Sequence, residues 1–99
     1  MRREVVILLA DDDPGHARLI DKNLARAGLN NQVEHFENGQ EVLDFLFQRG
    51  SGRHRAPETP YLLLLDIRMP KVDGVEVLRQ IKQDPELRKI PVSMLTTTD

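Results

Sequence analysis

Two short runs of apolar residues, Val5 to Ala10 and Leu62 to Leu65, each stop on an aspartate, Asp11 and Asp66. Neither run alternates with polar residues. Each would therefore bury both faces, the pattern of a central strand in a parallel sheet covered by helices on either side. Parallel strands need long crossovers, so helices are required between them. Pro14 suits the first turn of one such helix, Ala17, Ile20, Leu24 and Ala27 mark one face of it, and Gly28 suits its stop. Asn38-Gly39 opens a second, with Val42, Phe45 and Leu46 on one face and an end near Gly50. Gly74 precedes a third, lined by Val77, Leu78 and Ile81, which Asp84-Pro85 ends. With Gln32 to Phe36 and Val92 to Leu95 as shorter strands, the order is β-α-β-α-β-α-β, a doubly wound α/β fold with a parallel sheet. Ligands of such sheets bind beyond the carboxyl ends of the strands, at Asp11 to Asp13, Phe36 to Gly39, Asp66 to Gly74 and Thr96 to Asp99.

Length and charge exclude several function classes. Ninety-nine residues suit one hydrophobic core, so residues 1–99 are expected to form one domain. A net charge of −2 argues against binding nucleic acid or an anionic membrane through overall charge. The apolar runs fall far short of the roughly 20 residues that span a bilayer. Glu4 and Asp11 to Asp13 interrupt any signal-peptide pattern. Without cysteine there is no disulfide, thiolate metal site or Cys nucleophile, and a cytoplasmic location is expected.

The adjacent Asp11 and Asp12 and the separate Asp66 lie at the ends of neighbouring strands, so their carboxylates should converge. Like charges at one point repel unless a cation or a shared proton sits among them. With oxygen ligands only, Mg²⁺ is the expected ion. Asp13 is accounted for more simply, as the cap of the helix that starts at Pro14.

Asp11-Asp12 after an apolar strand, Asp66-Ile67-Arg68-Met69-Pro70-Lys71-Val72-Asp73-Gly74, and Pro91-Val92-Ser93-Met94-Leu95-Thr96 together resemble the response-regulator receiver family over nearly the whole chain. The loop at residues 50–60 and the string Asp84-Pro85-Glu86-Leu87 resemble more narrowly the single-domain regulators found with phytochrome-type histidine kinases. The resemblance implies a flavodoxin-like receiver fold in which Asp66 is the phosphoacceptor, Asp12 a direct Mg²⁺ ligand and Asp11 a ligand acting largely through water. It implies a further ligand in the Arg68 carbonyl and a Thr96 hydroxyl bonded to the phosphoryl group. Met69-Pro70 and Asp73-Gly74 would shape the loop between them. A histidine kinase would be the phosphoryl donor and a downstream protein the partner that phosphorylation switches. The chain would catalyse its own phosphorylation without being an enzyme in the ordinary sense.

One departure bears on that reading. The family has a lysine at the end of a fifth strand, and this sequence stops at Asp99, after the fourth. Helix 4, strand 5, helix 5 and the aromatic switch residue are absent from it. The receiver is therefore expected to be incomplete at its C-terminus, with Val92 to Leu95 as an edge that further chain covers or that pairs in a homodimer. Two other functions compete. A phosphatase of the haloacid-dehalogenase type also uses a strand-end Asp with Mg²⁺, but wants a second Asp where Arg68 stands. A pseudo-receiver would bind protein partners without phosphorylation. His16, His35 and His54 read as surface or packing residues rather than metal ligands, and Arg49, Arg53, His54 and Arg55 as a solvated basic loop suited to steering an acidic partner.

Overall fold

Alternating strands and helices produce the expected doubly wound arrangement in a computed structural model that describes residues 4–95. The elements are β1 (Val6–Ala10), α1 (Pro14–Arg26), β2 (Val33–Phe36), α2 (Gly39–Leu46), β3 (Tyr61–Asp66), α3 (Gly74–Gln83) and β4 (Val92–Leu95). All strands pair in parallel in one sheet ordered β2-β1-β3-β4. Because the chain steps from β1 to β2 in one direction and from β2 through β3 to β4 in the other, right-handed crossovers put α1 on one face and α2 and α3 on the opposite one.

The period of two along the strands sorts side chains between these layers. Leu8 and Ala10 of β1, Leu63 and Leu65 of β3 and Phe36 of β2 form a buried core with Val42, Leu43, Phe45 and Leu46 of α2 and Val77 and Ile81 of α3. Ile7 and Leu9 are buried toward the α1 side, where Ala17 packs. Leu62 and Leu64, on that same side, are only half-buried. Phe45 bridges Phe36 and Tyr61, with ring centroids 5.1 and 5.7 Å away.

Each helix starts on a side-chain cap. Asp13 accepts from Gly15 N and His16 N at α1, Asn38 from Glu41 N at α2, and Asp73 from Glu76 N at α3. Each satisfies backbone donors that a helix start leaves unpaired. Gly28 ends α1 as expected. By contrast α2 stops at Leu46, short of Gly50, because Gln48 and Gly50 take positive φ and Arg55 captures the last carbonyls. Its backbone N–H donates to Phe45 O at 3.0 Å and its Nε to Leu46 O at 2.7 Å. A 3₁₀ turn at Leu87–Lys89, which the sequence pattern did not reveal, buries Leu87 before β4. Asp84 holds that turn by accepting from Leu87 N and Glu86 N, and these bonds draw its carboxyl below its ordinary value.

Two glycines sit where backbones touch. A Cβ on Gly39 would meet Val72 O at 1.9 Å, and one on Gly74 would meet Asp66 O at 2.1 Å. Neither obstacle is a flexible side chain, so the loop after β3 packs against the start of α2 only because both positions lack a side chain. Gly39→Ala should therefore lower unfolding free energy in urea melts by about 1–3 kcal/mol. Gly52→Ala, with nothing within 4 Å, should stay within about 0.5 kcal/mol of wild type.

Candidate functional site

Register decides which charges meet. Ala10 of β1 pairs with Leu65 of β3, so the next residues, Asp11 and Asp66, leave the sheet side by side. One carboxylate oxygen from each of Asp11, Asp12 and Asp66 lies within 4.8 Å of the others, as the strand-end reading anticipates. The three differ in exposure: Asp11 is fully buried, Asp66 is 2% exposed, and Asp12 faces solvent.

Asp11 is held on every side. Its N–H donates to Phe36 O at 3.0 Å, its carbonyl meets His35 Nε2 at 2.8 Å, and its Oδ1 accepts from Asp13 N at 2.9 Å. Its Oδ2 contacts His16 Nδ1. Sequence reasoning set both histidines aside because no carboxylate lay at ligand spacing. The capped turn at Asp13 instead brings His16 back over Asp11, and β2 brings His35 across from the next strand. The five-residue spacing of Asp11 and His16 around a capping Asp-Pro was the available signal.

Burial is the main force on Asp66, pushing its carboxyl above the ordinary 3.8, and the charge of Asp11 pushes the same way. A backbone bond from Arg68 N to Oδ1, 3.4 Å long, opposes this, Asp12 adds to the rise, and a bond from Ile67 N lowers it slightly. The following loop folds back, with Gly74 N donating to Ile67 O at 2.8 Å and Met69 buried in the core. Within it Val72 N bonds Pro70 O around Lys71, whose φ is +68°. Asp12, Ile67, Arg68, Met69, Pro70 and Asp73 line an open cleft of about 540 Å³ beside the carboxylates. Arg68 thus lines this cleft. Thr96 lies outside the described residues, one position beyond Leu95, which pairs with Asp66.

The donor set is oxygen alone, and the cleft leaves room for water and an anion. Both features fit a hard divalent cation that keeps part of its hydration shell.

The basic loop is exposed from Arg49 to His54, as the solvated reading expects, and its guanidinium groups also find partners on the protein. Arg53 pairs with Glu34, lies over the Phe36 ring at 5.1 Å and donates to His35 O at 3.5 Å on the edge of β2. Arg49 lies over Phe47 and near Asp44, and the Arg55 side chain is largely covered. Arg53 thus ties the loop to β2, while Arg49 and Arg55 find their partners at the end of α2 and at Glu86.

An open parallel sheet whose two central strands deliver three carboxylates to one point defines a class of doubly wound proteins with an acidic, cation-competent strand end. The chain belongs to the response regulator receiver domain family, whose model matches residues 7–99. It is 45% identical over 94 residues to the probable methanogenesis regulatory protein FilR2 of Methanothrix harundinacea (strain 6Ac), covering 94% of this chain and 58% of that protein. It is 39% identical over 93 residues to the response regulator Rcp1 of Synechocystis sp. (strain ATCC 27184 / PCC 6803 / Kazusa), covering 94% of this chain and 62% of that one. Its fold matches the bacteriophytochrome response regulator RtBRR with a TM-score of 0.85 at 40% identity, over 95% of this chain and 57% of that one. It matches the Mn²⁺-bound form of Rcp1 with a TM-score of 0.78 at 37% identity, over 96% and 66%. The chain thus spans about three fifths of each of these two curated relatives. Neither the phosphatase nor the pseudo-receiver reading finds support over the receiver one. Among the described residues no helix is long and apolar enough to cross a membrane.

The raised Asp66 value sets a pH dependence. The folded state holds this proton more tightly than an unfolded chain, so ionisation opposes folding. The wild type keeps that stability below the ordinary carboxylate value and loses it as pH rises through the raised one. In EDTA, Asp66→Asn should therefore melt above wild type at neutral pH, and the gap should close as the buffer is made acidic. Thermal melts of both proteins across pH check this.

Proposed function

We propose that this chain is the phosphoacceptor of a two-component system. The observation that carries the reading is the meeting of Asp11, Asp12 and Asp66 beside an open cleft. The Asp66 carboxylate attacks the phosphorus of a phosphohistidine on a histidine kinase, the phosphorus–nitrogen bond breaks, the imidazole leaves, and an acylphosphate remains. Asp12, Asp66 and the Arg68 carbonyl would hold Mg²⁺ directly, and Asp11 through water. When bound, Mg²⁺ offsets the charge of the carboxylates and of the phosphoryl oxygens.

The residues around Asp66 prepare it. Burial keeps it from water, and the N–H of Arg68 orients Oδ1. Thr96 supplies a hydroxyl to the phosphoryl group, and the added charge reorders that side of the domain to change protein binding. Likeness to RtBRR favours a phytochrome-type kinase as donor. The cytoplasm is the compartment that suits such a donor. The outer edge of β4 is the place for further chain or a second copy to pair.

Intact-mass spectrometry before and after acetyl phosphate with Mg²⁺ tests the assignment. Wild type should gain one phosphoryl group, and Asp66→Asn should gain none while keeping its fold, since the amide is nearly isosteric but not nucleophilic. An undiminished adduct on the variant would sink the assignment. Asp12→Ala should weaken Mg²⁺ binding at least about ten-fold by calorimetry, since a direct ligand matters no less than the outer partners of a metal site. Unchanged affinity would place the cation elsewhere.

A further inference from the structure

Of the three carboxylates, only Asp11 has a histidine on its side chain. Its two oxygens are divided between Asp13 N on Oδ1 and His16 Nδ1 on Oδ2, while His35 holds its carbonyl. His16 is itself fixed, because its backbone N–H is one of the two that Asp13 caps at the start of α1. It is 29% exposed and contacts a residue that is itself entirely buried.

We propose that His16 is a positioning residue for the cation site. Its Nδ1–H donates to Asp11 Oδ2 and locks the carboxylate in the rotamer that faces Asp12 and Asp66. Each carboxylate oxygen has two lone pairs. One protein donor apiece therefore leaves Asp11 able to accept from a cation's water without giving up either bond. Without His16, Asp11 turns away from the two charges beside it, and a cation must reverse that motion to bind. Outer partners of this kind typically change metal affinity 10–100-fold. The inference rests on the metal reading above.

Calorimetric titration of Mg²⁺ and of Mn²⁺ into wild type, Asp12→Ala, His16→Ala, His16→Asn and His16→Gln tests it, with thermal melts of each metal-free protein alongside. The Asn amide nitrogen can stand near the place of Nδ1, whereas that of Gln reaches toward the place of Nε2. The expected result is at least about ten-fold weaker binding of both ions by His16→Ala and His16→Gln, with His16→Asn close to wild type. A merely structural role would move the melts without separating Asn from Gln. Binding by His16→Ala as tight as wild type, or tighter, would overturn the inference and leave the metal reading intact, provided Asp12→Ala still loses affinity. If His16→Ala does not fold, equal affinities for the Asn and Gln variants overturn it instead. Wild type that binds neither ion would bring down both readings together.

Discussion

Like-charge crowding at the carboxyl ends of β1 and β3 is the constraint on which the structure turns. Two carboxylates within 4.8 Å of each other repel by about 3 kcal/mol or more at an effective dielectric near 20. Whole domains are stable by only about 5–15 kcal/mol, so one such pair is a sizeable fraction of the total. The apolar strands hold it in place. Leu8, Leu9, Leu63 and Leu65 are fully buried, and the register they impose leaves Asp11 and Asp66 no separate exits from the sheet. The acidic site is thus a consequence of hydrophobic packing, maintained against its own electrostatics.

Close backbone packing extends the effect of Asp66 beyond its own strand. Gly74 lies against the Asp66 carbonyl, and Val72, two residues earlier, lies against Gly39 at the start of α2. Met69, between Asp66 and Val72 in the chain, is anchored in the core. The starts of α2 and α3 are thus joined to the Asp66 loop by close main-chain approaches. The caps Asn38 and Asp73 stand at those two helix starts, so the hydrogen bonds that set the helix ends lie next to the contacts.

Most of the fold was legible because it depends on period and punctuation. Unbroken apolar runs marked β1 and β3, Pro14 and Gly28 bracketed α1, and Asp84-Pro85 ended α3. The meeting of Asp11, Asp12 and Asp66 followed from topology alone. What escaped depends on long-range partners. The early end of α2 results from Arg55, nine residues beyond Leu46, and the ordered state of the basic loop results from Glu34 and Phe36 on another strand. His16 and His35 looked idle because their partner is one residue at the end of β1, reached through a cap in one case and strand pairing in the other. Composition shows that a loop is basic; it does not show which carboxylates will meet it.

The unequal surroundings of the three carboxylates divide their work. Asp12 is exposed, so its side chain can reorient without disturbing the core. Asp11 is buried with every polar atom engaged, and its orientation is settled when the protein folds. Asp66 is nearly as buried, and the backbone N–H groups of Arg68 and Ile67 bear on its carboxylate. A site of three equally mobile carboxylates would have to be assembled by each cation that entered. One rigid member reduces that reorganisation, and Asp11 is that member because Asp13 N and His16 contact its carboxylate while Phe36 and His35 hold its backbone.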